Sequence, residues 1–157
     1  MTRPCPYGDE MDCAACPQRD GCDQCEQVAY SSKPLLKVYI AHPLSGPPNE
    51  YLYNCGQMDV ASVEVAAIGF APFNPADDMR RGVAASILLG LRYNTADYQR
   101  VSMAWLEAAD VVLVLATHRL DGTPSDGVAA EVARADELHI PVVYSTDELC
   151  RLRGSEP

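Results

Sequence analysis

The chain has 157 residues, with 22 acidic against 12 basic side chains and a formal net charge of -10, and its 48% hydrophobic and 22% charged content is that of a globular domain, which excludes a disordered or fibrous chain. The acidic balance repels phosphate backbones and argues against a nucleic acid polymer as partner. No apolar run approaches the ~20 residues that span a bilayer, the longest being Val111 to Ala116, and no basic-then-apolar leader opens the chain, so no membrane partner and a cytoplasmic location are expected.

Five of the seven cysteines fall in the first 25 residues, and residues 1–33 hold almost no large aliphatic side chain. Such a segment cannot build a hydrophobic core and needs another source of order. Cys13-x2-Cys16 and Cys22-x2-Cys25 form two chelating pairs separated by five residues, a spacing at which four thiolates close a tetrahedral zinc site. Two alternatives stay open: an iron-sulfur cluster that includes Cys5, and a tail with free thiols. Residues 1–33 are therefore read as a Cys-rich, metal-binding extension, 34–149 as the main domain and 150–157 as a tail.

From Leu35 the pattern alternates. Leu36 to Ala41 is a β-rich run stopped by His42-Pro43 and the turn residues Ser45-Gly46-Pro47-Pro48. Glu50 to Ile68 carries Met58, Ala61, Val65 and Ile68 at helical spacing and ends at Gly69. Phe70 to Phe73 is a short strand running into Asn74-Pro75, followed by a stretch read as irregular that holds Arg80, Arg81 and Gly90. Thr95 to Ala109 then places Tyr98, Val101, Trp105 and Ala108 on one helical face, and the β-branched run Val111 to Ala116 reads as a central strand covered on both sides. Asp126 to Leu138 is a helix with Val128, Val132, Ala135 and Leu138 inward, and Ile140 to Tyr144 is a last strand. This order predicts an α/β fold with a doubly wound, open parallel sheet, Rossmann-like or flavodoxin-like, of about five strands. Ligands of such sheets bind at the carboxyl ends of the strands, which directs attention to the loops after Ile40, Phe73 and Ala116.

In the last of these loops Ser125 is placed to cap the following helix, and Gly127 leaves its first turn bare enough for an anion to reach the N–H groups. Glu131 flanks the packed stripe near the strand ends. From position alone it is either a cleft carboxylate, acting as nucleophile, base or metal ligand, or a partner of Arg134. Asp97, three residues after Asn94, is either a first-turn residue of a capped helix or a second carboxylate in the same cleft. Tyr39 can orient a carboxylate through its hydroxyl or simply pack, and His42 is an acid, a base or a turn residue. Arg80, Arg81 and Arg92 are read as phosphate contacts or as solvated surface. Gly-x-Gly-x-x-Gly after a strand, a P-loop, Gly-x-Ser-x-Gly and His-Glu-x-x-His are all lacking, which removes the commonest dinucleotide, NTP, hydrolase and zincin readings.

Val38 to Gly46, Asn54, Gly69 to Pro75, Ala109 to Val112 and Ser125-x-Gly127-Val128-x-x-Glu131 together resemble the nucleoside 2-deoxyribosyltransferase-like superfamily, over roughly residues 35 to 145. Pro124 to Glu131 is also similar to the Pro-Ser-x-Gly-Val-x-x-Glu loop of deoxynucleoside 5'-monophosphate N-hydrolases. The resemblance implies that Glu131 attacks C1' of a (deoxy)ribose, that Tyr39 holds that carboxylate, and that Ser125 and Gly127 hold a 5'-phosphate. His42, Gly46 and Asn74, from the first two strand-end loops, complete the expected substrate-binding set, with Asp97 as a further catalytic candidate. It also implies a small-molecule nucleotide or nucleoside partner and a homo-oligomer with sites near subunit contacts. The sequence departs from its relatives at Ser102, where they carry an Asp before the helical aromatic, here Trp105, and at Pro43, where the monophosphate hydrolases have a serine.

Overall fold

The computed structural model describes residues 34–91 and 94–154. The Cys-rich segment, with Cys5, Cys13, Cys16, Cys22 and Cys25, lies outside them, as does Arg92.

Nine elements follow one another among the described residues: β1 (Lys37–Ala41), α1 (Pro48–Ala67), β2 (Ala71–Phe73), α2 (Pro75–Leu89), α3 (Thr95–Glu107), β3 (Val111–Val114), α4 (Asp126–Glu137), β4 (Val142–Val143) and α5 (Thr146–Gly154). The four strands pair in parallel in the order β2-β1-β3-β4; they are the four runs read from the sequence, one fewer than the about five expected of the fold class. Tyr39 lies in register with Phe73 on one side and Val112 on the other. From β1 the chain winds to β2 on one side, and from β3 it winds to β4 on the other. The direction of winding therefore reverses between β1 and β3, and their carboxyl ends splay into a crevice.

Alternation along the strands divides the core into two layers. Val38, Val111 and Leu113 turn to one face and pack with Val65 of α1 and Leu149 of α5, while Ile40 packs with Cys55, Met58 and Ala61 of α1. Tyr39, Ala41, Val112 and Val114 turn to the other face, against Leu106 of α3 and Val128 and Ala135 of α4. All four residues of β3 are buried, as its continuously apolar, Val-rich sequence requires. The sheet is thus doubly wound.

Local differences from the sequence reading have physical causes. The stretch read as irregular is α2, capped by the Asn74 side chain, which accepts from Ala76 N at 2.9 Å, and closed by Gly90 in the left-handed conformation at φ 63°. This helix buries only Pro75 and Ala76, so it carries no apolar stripe to announce it. In α3 the buried residue is Leu106, while Trp105 is 49% exposed and Ala108 is also exposed. Leu138 is the C-cap of α4 and exposed. The segment from 150 is no loose tail through Gly154, because α5 anchors it through fully buried Leu149 and partly buried Leu152. No helix among the described residues is long and apolar enough to cross a membrane.

Candidate functional site

A cavity of about 620 Å³ opens at the carboxyl ends of β1 and β3, lined by His42 from the β1 loop, Tyr98 and Ser102 of α3, Arg119 from the β3 loop, and Ser125, Gly127 and Glu131 at the start of α4. Its size suits a small organic ligand. Behind the cavity wall the fully buried Tyr39 donates its hydroxyl to Oε1 of the lining residue Glu131 at 2.6 Å, joining two residues 92 positions apart. Tyr39 stands on the sheet face that α4 covers, and its ring stacks on Phe73 at 5.7 Å, which in turn stacks on Trp105 at 4.9 Å. The hydroxyl is therefore aimed by a packed aromatic column, not by its own rotamer freedom.

Electrostatics at the pair follow from burial. Desolvation raises the Glu131 carboxyl from the usual 4.5 to about 7, with the Tyr39 hydrogen bond opposing the rise. Tyr39 is itself pushed well above 10 by burial, then by the neighbouring Glu131 charge and the hydrogen bond donated to it, while the Ser102 hydroxyl works in the opposite direction. The phenol keeps its proton. Glu131 is thus a carboxylate poised near neutrality, held by one donor and open to the cavity, which suits a nucleophile or a base. Arg134, its other candidate partner, is committed to Glu107 at 2.7 Å and Glu137 at 2.8 Å.

The α4 N-terminus forms a second part of the wall. Ser125 is buried, and its Oγ accepts from Val128 N at 3.4 Å while its carbonyl accepts from Ala129 N at 2.9 Å. The N–H groups of Asp126 and Gly127, on the first turn, are the ones this cap leaves over. A Cβ at Gly127 would have Ser125 Oγ as its nearest neighbour at 3.9 Å, so the space beside this turn is open.

His42 is half-buried at the end of β1, and burial holds its imidazole below 6.5, with the contact to Pro43 O opposing. That carbonyl is clamped in turn by the buried Asn54, whose Nδ2 donates to it at 2.7 Å.

Other expected residues fall elsewhere. Asp97 is in a reciprocal capping box with Asn94, its carboxylate accepting from Asn94 N at 3.1 Å, and it does not line the cavity. Its place on the first turn, with Arg100 three residues on, serves the helix. Asn74 is the α2 cap and donates to Asp59 Oδ1 at 3.0 Å, outside the cavity wall. Gly46 does not line it either: a Cβ there would come within 2.8 Å of Glu50 Oε2. Glu50 is buried on the first turn of α1 and accepts from Leu120 N at 2.9 Å, so it ties the start of that helix to the β3 loop. Arg80 is held by Asp59 and Asp77, and Arg81 by Asp78. The arginine at the cavity is Arg119, which the sequence reading did not single out; its Nε is buried without a hydrogen-bond partner among the described residues. No group of three or more potential metal ligands occurs among the described residues, and Cys55 and Cys150 are free thiols.

Fold and site together define a doubly wound α/β protein with a carboxylate-bearing cavity at its switch point. The chain belongs to the family described as Domain of unknown function (DUF4406), whose model matches residues 36–144. No curated protein matches the chain. Among solved structures, the 2-deoxyribosyltransferase of the psychrotolerant bacterium Bacillus psychrosaccharolyticus is similar at a TM-score of 0.49 and 16% identity, over 68% of this chain and 69% of that one.

Proposed function

We propose that the protein cleaves or exchanges the N-glycosidic bond of a (deoxy)nucleotide or nucleoside, with Glu131 as the nucleophile. The observation that carries this reading is the Tyr39–Glu131 pair, 2.6 Å apart at the wall of the cavity, in the sequence context that resembles nucleoside-processing enzymes. The Glu131 carboxylate, lining the cavity, suits attack at C1' with an oxocarbenium-like transition state and a glycosyl ester, passed on to water or to a second base. The spare N–H groups of the α4 first turn and the Arg119 guanidinium offer an anion site for a 5'-phosphate, which an acidic chain has to supply locally. Chromatography of a panel of nucleosides and their monophosphates, with and without an acceptor base, tests it. Free or exchanged base from a member of the panel, lost in Glu131→Ala, is the expected result, and an unchanged rate in that variant rejects the mechanism.

Ser102 favours a second reading, a nucleotide-binding module without turnover, because the cavity wall carries a hydroxyl where relatives carry a carboxylate. Tight binding of a monophosphate with no base released over hours selects it. For the Cys-rich segment the same proposal brings one zinc held by Cys13, Cys16, Cys22 and Cys25; metal analysis reads zinc, and visible absorption would identify an iron-sulfur cluster instead. Superfamily resemblance adds a homo-oligomer, which sedimentation measures.

A further inference from the structure

Displacing a nucleobase leaves an electron pair on its departing nitrogen, and a proton delivered there lowers the barrier. Glu131 is consumed as the nucleophile, so the proton must come from another group at the cavity. Ser102, from α3, is too weak an acid, and Arg119, from the β3 loop, is the guanidinium assigned to the anion. The Tyr39 hydroxyl is committed as a hydrogen-bond donor to Glu131 at 2.6 Å, and Tyr98 of α3 donates to Met79 O at 3.3 Å. Asp126 of α4 is exposed on the first turn, the end proposed for the anion.

His42 remains. It directly follows β1, at the switch point, and lines the same cavity as Glu131. Its Nδ1 lies 3.3 Å from Pro43 O, an atom that only accepts, so Nδ1 carries hydrogen in either protonation state. Asn54, fully buried on α1, fixes that carbonyl. The tautomer is therefore set by the fold, and Nε2 is the nitrogen that exchanges a proton.

We propose that His42 Nε2 is the general acid for the departing base and the general base in the second half of the reaction. This rests on the reading of Glu131 as nucleophile. As the Glu131 oxygen bonds to C1', the C1'–N bond breaks, its electron pair goes to the base nitrogen, and that nitrogen takes the Nε2 proton. Water then attacks C1', gives its proton to neutral Nε2, and the Glu131 carboxylate departs.

Cleavage needs Glu131 ionised and His42 protonated together, so the rate falls on both sides of near-neutral pH. The test compares the full-length protein with its His42→Asn variant, whose amide retains a donor for Pro43 O but no titrating proton. Two substrates are used: the nucleotide found by the panel, and a 4-nitrophenyl glycoside of the same sugar phosphate, whose phenolate leaves without a proton. On the nucleotide, kcat is expected to fall about a hundred- to ten-thousand-fold with KM little changed, and the alkaline limb of the pH profile to vanish. On the aryl substrate the first step, read as kcat/KM or as the burst of 4-nitrophenolate, should stay within about threefold in the variant, while steady-state turnover slows because no Nε2 takes the proton from water, and Glu131→Gln loses both. Equal first-step losses on both substrates, an unchanged nucleotide rate, or an alkaline limb removed by Asp126→Asn instead would overturn the assignment of His42. In those cases Glu131-dependent cleavage of the aryl substrate still upholds the nucleophile, whereas an aryl substrate untouched by the wild type brings down both.

Discussion

Tyr39→Phe removes one oxygen from the site and leaves its scaffold in place. The ring stays buried and stacked 5.7 Å from Phe73. What disappears is the donor 2.6 Å from Glu131 Oε1. A hydrogen bond to a charged group contributes about 1.5–3 kcal/mol, and roughly 1.36 kcal/mol corresponds to one pKa unit, so Glu131 should rise by about one to two units. It starts at about 7. At pH 7 the ionised fraction then drops from about a half to between about a tenth and a hundredth, a loss of about 5- to 50-fold in rate. The assay is kcat/KM on the aryl glycoside, which covers only the first step and needs neither an acid nor a base beside the nucleophile, followed across pH so that Glu131 ionisation alone shapes the curve. The variant's acid limb should move upward and its rate should approach that of the wild type in alkaline buffer. A loss of the same size at every pH, or an unmoved midpoint, would refute the coupling and leave Tyr39 a packing residue.

Three further substitutions probe the same account. Because Glu131 is held at about 7 in the fold against 4.5 when unfolded, the native state binds the extra proton between these values, and stability falls as pH rises through that window. Glu131→Gln should abolish that slope and be more stable at pH 8, by on the order of 3 kcal/mol, in denaturant titrations at pH 5 and pH 8; parallel slopes would contradict it. Gly127→Ala adds a methyl whose nearest neighbour is Ser125 Oγ at 3.9 Å, so the helix should gain up to about 1 kcal/mol while KM rises for a monophosphate and not for the nucleoside. Equal KM changes for both would move the anion away from this turn. Gly46→Ala, with its Cβ 2.8 Å from Glu50 Oε2, should break the bond from Leu120 N, lower the thermal midpoint by the equivalent of about 1–3 kcal/mol and open the β3 loop to protease. An unchanged midpoint would show that Glu50 is not the tie.

Residues with a periodic partner were the readable ones. Val111 to Val114 reads as a strand buried on both faces because nothing polar interrupts it, and Met58, Ala61 and Val65 mark α1 because they repeat at helical spacing. Helix α2 escapes the same reading, since its stability comes from the Asn74 cap, Pro75 and the closing Gly90 while Val83, Ile87 and Leu88 stay exposed. The ends of α2 are written in the sequence as Asn74-Pro75 and Gly90, where its periodicity is silent. In α3 the two adjacent residues Trp105 and Leu106 exchange roles: the smaller one fills the core and the larger one stacks on Phe73. At the site, spacing leaves Glu131 divided between the cleft and Arg134, and only the strand-to-helix contact with Tyr39 decides it. Asn94 and Asp97 do carry their capping box in plain sequence. Arg119 and Glu50 have no such local signature, because each acquires its place from loops that meet only in the folded chain.

Nucleophilic catalysis by Glu131 requires a covalent bond from its carboxylate to C1'. A nucleotide with fluorine at C2' destabilises the oxocarbenium-like transition states and slows release of the ester, so the intermediate should accumulate. Intact-protein mass spectrometry after incubation, followed by peptide mapping, should find one fluorinated sugar phosphate per chain attached to Glu131, and none in Glu131→Gln. Base release with no adduct, or an adduct on another residue, would contradict the account.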